Sequence, residues 1–207
     1  MNSQTVRQSL AGPAGAIECA IDAPAGEAHG VAVICHPHPV HGGTLDNKVV
    51  ITLVRAFLAI GYRTVRFNFR GVGGSQGGWD EGRGEVDDAL AVIAKYRDPA
   101  QPFMLAGFSF GAYVASQAAT RLADDAKPLR MVLVGPSTQK QQMATVPADT
   151  IVVHGEADDV VPLQSTLDWA RPQSLPVIVL PGVGHFFHGQ LTLLKNVLVQ
   201  QLQRPRI

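Results

Sequence analysis

Short β-branched and aromatic runs alternate along the chain with stretches whose apolar residues recur every three or four positions. Gln4–Ser9 and Ala16–Asp22 read as opening strands, with Pro and Gly between and after them. Val31–Cys35 is an unbroken apolar run, the pattern of a strand buried on both faces. Val49–Ile60 places Val50, Leu53, Val54, Phe57 and Leu58 at helical spacing, and Asp46 and Asn47 offer N-caps just before it. Arg63–Phe69 is the next strand. A glycine-rich loop leads from it to a helix over Glu81–Tyr96, with Val86, Leu90, Ile93 and Ala94 on one face. Phe103–Phe108 predicts a strand and Phe110–Leu122 a helix. Leu129–Gly135, Thr150–His154 and Val177–Leu180 predict three more strands, and Leu163–Ala170 and Leu191–Leu202 two more helices. Strands alternating with helices imply crossovers, hence an α/β fold with a mainly parallel sheet covered on both faces. In such open sheets ligands bind beyond the carboxyl ends of the strands, so the residue after each strand is where chemistry is sought.

A chain of 207 residues corresponds to about one domain, here 1–207, and can bury a core without disulfides or metals. Seventeen basic residues cancel seventeen acidic ones, which argues against a general attraction to nucleic acid or to anionic membranes. The two cysteines, Cys19 and Cys35, make no disulfide framework. MNSQTVRQSL lacks a signal-peptide core, and no run approaches the ~18 apolar residues of a membrane span. A cytoplasmic protein is the expectation.

Between the strand Phe103–Phe108 and the helix that follows lies Gly107-Phe108-Ser109-Phe110-Gly111, a G-x-S-x-G sequence. A nucleophile on a sharp strand-to-helix turn needs small neighbours two positions away on either side, and the helix N-terminus behind it supplies N–H groups for developing negative charge. A serine hydroxyl needs a base. Of seven histidines, His185 sits best: it follows the strand Val177–Leu180 on the loop Pro181-Gly182-Val183-Gly184. His188 begins the next helix, His154 ends a strand and reads as structural, and His29 reads as loop. The base in turn needs a carboxylate to fix its tautomer. His154-Gly155-Glu156-Ala157-Asp158-Asp159 offers Glu156, Asp158 and Asp159, and spacing alone does not choose among them.

The order serine, acid, histidine resembles the α/β-hydrolase superfamily over nearly the whole chain. H-G-x-x-D-x-x-V-P is similar to that family's acid loop and maps the acid onto Asp158. Gly184-His185-Phe186-Phe187 resembles its histidine loop, and Phe67-Asn68-Phe69-Arg70-Gly71-Val72-Gly73-Gly74-Ser75 its glycine-rich segment. The resemblance implies a three-layer fold and a serine hydrolase of small or medium esters or thioesters, working through an acyl-enzyme without a cofactor. It is nearest the small bacterial hydrolases related to dienelactone hydrolase, whose own nucleophile is cysteine. The second half of an oxyanion site then falls in His36-Pro37-His38-Pro39-Val40-His41, where Pro has no N–H to give; His38 and Phe110 are the expected backbone donors. His36 and His41 are read as bracing that loop. A metal site there, perhaps with Cys35, lacks the spacing of HExxH or CxxC motifs. The glycine-rich loop likewise fails both G-x-G-x-x-G and G-x-x-x-x-G-K, so no nucleotide is expected. Arg70, Trp79 and Phe186 are candidate pocket residues. Only Pro136 to Asp149, fourteen residues, lie where many relatives insert a lid, so an open pocket and a small-molecule acyl substrate are expected. An acyltransferase and a non-catalytic binding protein on the same fold are the alternative readings.

Overall fold

A computed structural model describes residues 5–204. The strands are β1 (Val6–Gly12), β2 (Gly15–Asp22), β3 (Val31–Cys35), β4 (Arg63–Phe67), β5 (Phe103–Phe108), β6 (Arg130–Val134), β7 (Ile151–Gly155) and β8 (Val177–Leu180). They form one sheet in the order β1-β2-β4-β3-β5-β6-β7-β8. β1 and β2 make an antiparallel hairpin and β2 runs antiparallel to β4; every later pairing is parallel. The helices are α1 (Lys48–Ala59), α2 (Arg83–Tyr96), α3 (Phe110–Arg121), α4 (Leu163–Ala170) and α5 (Leu191–Gln203).

Successive side chains of a strand point to opposite faces, and here both faces are covered. Val31, Val33 and Cys35 of β3 join a core with Val86, Ala89, Ala112 and Ala115 from α2 and α3. Ala32 and Ile34 join the other core, with Leu53 and Phe57 of α1 and Leu194 and Leu198 of α5. Met131 and Leu133 of β6 share the first core, and Val132 and Val134 the second. This two-sided burial is why the central strands read as continuous apolar runs.

Several boundaries differ from the sequence expectation. β1 runs on to Gly12, which pairs with Gly15 across a two-residue turn, so the strand continues up to the glycine that ends it; Gln4 lies outside the described residues. β4 stops at Phe67: the Asn68 N–H still reaches the Glu18 carbonyl of β2, but the Phe69 N–H turns away to the His36 ring. α2 begins at Arg83, since Glu81 and Gly82 both have positive φ. The Glu85 carboxylate then turns back to accept from Gly82 N–H at 2.8 Å and Asp80 N–H at 3.0 Å. α1 starts as its cap predicts: the Asn47 side chain accepts from Val49 N–H at 2.9 Å. No described helix is long and apolar enough to cross a membrane.

Candidate active site

The end of β5 explains why the serine is flanked by glycines. Ser109 has φ +54 and ψ −117, a strained conformation for a side-chain-bearing residue, and it sits between β5 and α3. A Cβ on Gly107 would fall inside the Gly111 carbonyl, and one on Gly111 inside the carbonyls of Cys35 and His36. The elbow is therefore wedged against the end of β3, and α3 aims its N-terminus at the same spot. Ser109 N–H is tied to the Val134 carbonyl of β6 at 2.9 Å.

His185 Nε2 lies 3.0 Å from Ser109 Oγ. Its Nδ1 lies 2.7 Å from Asp158 Oδ2. The ring packs against Phe108 with centroids 5.0 Å apart, and all three polar side chains are buried. Asp158 Oδ1 is occupied as well, accepting from Val160 N–H at 3.0 Å and Val161 N–H at 2.7 Å. Burial pushes this carboxyl's pKa up, but the hydrogen bonds from His185 and Val161 outweigh it and leave it below the ordinary value. The neighbouring acids are used otherwise. Glu156 accepts from Gly182 N–H at 2.9 Å, and Asp159 is exposed. Geometry thus selects Asp158, a choice that spacing left open.

His154, read as structural, touches the same carboxylate. Its Nε2 is 2.9 Å from the Val161 carbonyl and 3.4 Å from Asp158 Oδ2, while Thr166 Oγ1 lies 3.2 Å from its Nδ1. Burial holds it below the ordinary imidazole value, so it is a neutral Nε2–H donor that fastens the acid loop.

The loop after β3 closes the other side. His36 is fully buried: its Nε2 accepts from Phe69 N–H at 3.0 Å, so Nδ1 carries the proton and donates to the Pro37 carbonyl at 2.6 Å. The His38 carbonyl accepts from His41 N–H and Gly43 N–H, which folds the loop into a tight turn. Neither His38 N–H nor Phe110 N–H donates to a backbone acceptor among the described residues. Among those residues no group of three or more His, Cys, Asp or Glu is arranged to share a metal ion.

Burial pushes the His36 imidazole down to about 3 from an ordinary 6.5. The unfolded chain takes up a proton here near pH 6.5 and the folded one only near 3, so acidification favours unfolding across that window. The slope is about 1.4 kcal/mol per pH unit. Urea midpoints are expected to fall between pH 7.5 and pH 5, and His36→Gln, which does not titrate, is expected to lessen the fall. An unchanged wild-type midpoint would contradict a buried neutral His36.

Of the expected pocket residues, Phe186 lines a cleft of about 320 Å³ with Ser109, His185, His38 and Phe110. Trp79 stands at its margin, its ring 4.6 Å from His38 and 5.1 Å from Phe110. Arg70 is not brought there. Its Nε and Nη2 reach Asp88 on α2 at 3.0 and 2.8 Å, and its own N–H reaches the same carboxylate at 3.0 Å. It ties the end of β4 to α2 instead of facing substrate. Sequence reasoning passed over Ser137 and Lys140, which line the cleft from the connection between β6 and β7, and Val160 and Val161 from the acid loop. The strand-end rule was a signal for Ser137, two residues beyond Gly135; nothing local marked Lys140.

A family model described as serine aminopeptidase, S33 (Hydrolase_4) matches residues 26–149, more than half of the chain. The chain belongs to this family. The match includes His38 and Ser109 and ends before Asp158 and His185, whose placement rests on the geometry above. This S33-family chain is 35% identical to a lidless α/β serine hydrolase from Xanthomonas campestris. The likeness covers 99% of this chain and 96% of that one, with TM-score 0.89. An α/β serine hydrolase homologue from Coxiella burnetii is 39% identical, covers 98% of both chains and has TM-score 0.84. Among curated proteins, a lysophosphatidylserine lipase of Danio rerio is 25% identical over 81% of this chain and 59% of its own length. The fold is that of a small α/β hydrolase, and the connection from β6 to β7 carries no helix.

Proposed function

We propose that this hydrolase cleaves carboxylic esters or thioesters through an acyl-enzyme formed on Ser109. The supporting observation is the continuous relay from Ser109 Oγ through His185 to Asp158, at 3.0 and 2.7 Å, on a strained elbow open to a cleft. Asp158 accepts from His185 Nδ1–H, which leaves Nε2 with its lone pair toward the serine. His185 Nε2 takes the Ser109 proton as Oγ attacks the acyl carbonyl. The oxyanion is received by the His38 and Phe110 N–H groups, with the α3 N-terminus behind them. The imidazolium then protonates the leaving group, and the C–O or C–S bond breaks. Water enters, gives a proton to Nε2 and adds to the acyl carbon, and Ser109 leaves with that proton. The lipase from Danio rerio supports the acyl-ester reading, since the substrate in its name is an acyl ester.

The test is intact mass after incubation with a fluorophosphonate, on wild type and Ser109→Ala. One adduct on the wild type and none on the variant is the expected result, with ester turnover in the variant lower by at least about 10⁴-fold. Labelling of the Ser109→Ala protein, or turnover within tenfold of wild type, would overturn the assignment.

A further inference from the structure

Six large hydrophobic side chains are exposed among the described residues: Val6, Val40, Trp79, Val160, Phe186 and Leu193. Val160 and Phe186 line the cleft at Ser109. Trp79 packs at a tilt against two of its lining rings, and Val40 lies in the turn between His38 and His41, which both line it. Four of six is a concentration that folding does not require, because none of these side chains is buried in either core. Exposed apolar area gathered around one concave site marks a seat for an apolar ligand group.

The charges at the same cleft are one-sided. Among the described residues that line it, Lys140 alone carries a permanent charge and none is a carboxylate. Asp158 lies behind His185, with both oxygens hydrogen-bonded, and Asp159 is exposed outside the lining. Lys140 forms no ion pair among the described residues. Its charge is felt inside the site: after burial and His41, it is a further cause holding the His38 imidazole below its ordinary value. Asn47 and Ser137 add uncharged hydrogen-bonding groups to the same lining.

We propose that the cleft selects an ester bearing both an apolar arm and a negative charge, the arm lying across Trp79, Val160 and Phe186 and the charge facing Lys140. This rests on the serine-hydrolase reading and names the substrate class for it. A carboxylate or a phosphate satisfies the same chemistry, on either side of the scissile bond. With no lid over the site, the arm is held by the rim and stays partly in water. The gain per methylene is then smaller than for full burial.

Five esters separate these features: p-nitrophenyl acetate, p-nitrophenyl hexanoate, mono-p-nitrophenyl adipate, and 4-carboxyphenyl hexanoate with phenyl hexanoate as its neutral partner. The wild type is expected to prefer hexanoate to acetate, and Phe186→Ala to lose most of that preference. At low ionic strength at least one anionic probe is expected to exceed its neutral partner in kcat/KM. Lys140→Glu is expected to lower that ratio by about tenfold, with a smaller change in 0.5 M salt. The adipate and the carboxyphenyl ester show whether the charge belongs to the acyl or the leaving side. Fluorophosphonate labelling of Ser109 in each variant reports that the site is still assembled. Labelled protein that hydrolyses neutral and anionic esters alike, with a ratio indifferent to Lys140→Glu, overturns this inference and leaves the hydrolase reading standing. Equal rates on acetate and hexanoate overturn the apolar arm. A wild type that takes neither label nor ester overturns both readings.

Discussion

Changing Asp158 to Asn is expected to lower kcat for ester hydrolysis by about 10⁴-fold, by analogy with triad acids on other folds. The hydrogen bonds around the carboxylate say why. Oδ1 accepts from the Val160 and Val161 N–H groups, at 3.0 and 2.7 Å, and both demand an acceptor. An asparagine must keep its oxygen there, so its NH₂ turns to His185. The imidazole can answer a donor only by moving its proton from Nδ1 to Nε2, and Nε2–H cannot take a proton from Ser109. The fold survives because the loop bonds are kept, while the base is lost. His154 Nε2–H, 3.4 Å from Oδ2, disfavours the amide as well, since it would then face a second donor. Steady-state kinetics on a p-nitrophenyl ester checks this, with Asp159→Asn expected within about twofold of wild type because Asp159 is exposed. Comparable losses in the two variants would mean that the acid has been misassigned.

Gly111→Ala is expected to destabilise the protein by about 2–4 kcal/mol and to remove more than 99% of activity, from a single methyl group. The added Cβ meets the carbonyl oxygens of Cys35 and His36, which are backbone atoms at the end of a central strand and cannot rotate away. Either α3 or the β3 loop must retreat. The first carries Ser109 and Phe110 N–H, the second His38 N–H, so retreat pulls the nucleophile and the oxyanion donors apart. A misplacement of about 1 Å is enough to lose two orders of magnitude in rate. Gly26→Ala is the matching control, because a Cβ there meets nothing within 4 Å. Chemical denaturation and kinetics on both variants make the comparison. A Gly111→Ala protein as stable and active as Gly26→Ala would refute the packing argument.

How much of this was legible in the chain follows from which interactions are local. The central strands were readable because two covered faces force unbroken apolar runs, as in Val31–Cys35. The elbow was readable because its glycines flank the serine at fixed short spacing between a strand and a helix, although the carbonyls that exclude a side chain at Gly111 come from the distant end of β3; His185 was readable because a strand ends just before it. Arg70 was misplaced for the opposite reason. Its position after β4 suggested the cleft, but its direction is set by Asp88, eighteen residues later on α2. The start of α2 was missed because positive φ at Glu81 carries no signature of its own. Choosing Asp158 over Glu156 and Asp159 required the hydrogen bonds of the acid loop. Lys140 gave no sign, because a lysine in a polar connection looks the same whether it faces solvent or a cleft.

The relay joins the middle of the sheet to its margin. Ser109 follows β5, which is flanked on both sides by β3 and β6. His185 follows β8, a four-residue strand at the margin that is bonded only to β7. Ser109 thus follows a strand bonded along both sides, and His185 one bonded along a single side. That division suits a two-stroke cycle. On the proposed acyl-enzyme route the serine holds one position through both strokes, while the imidazole aims first at a leaving group and then at incoming water. On that route, re-aiming the proton carrier asks for movement at the margin of the sheet and none in its middle, where the acyl bond would be held.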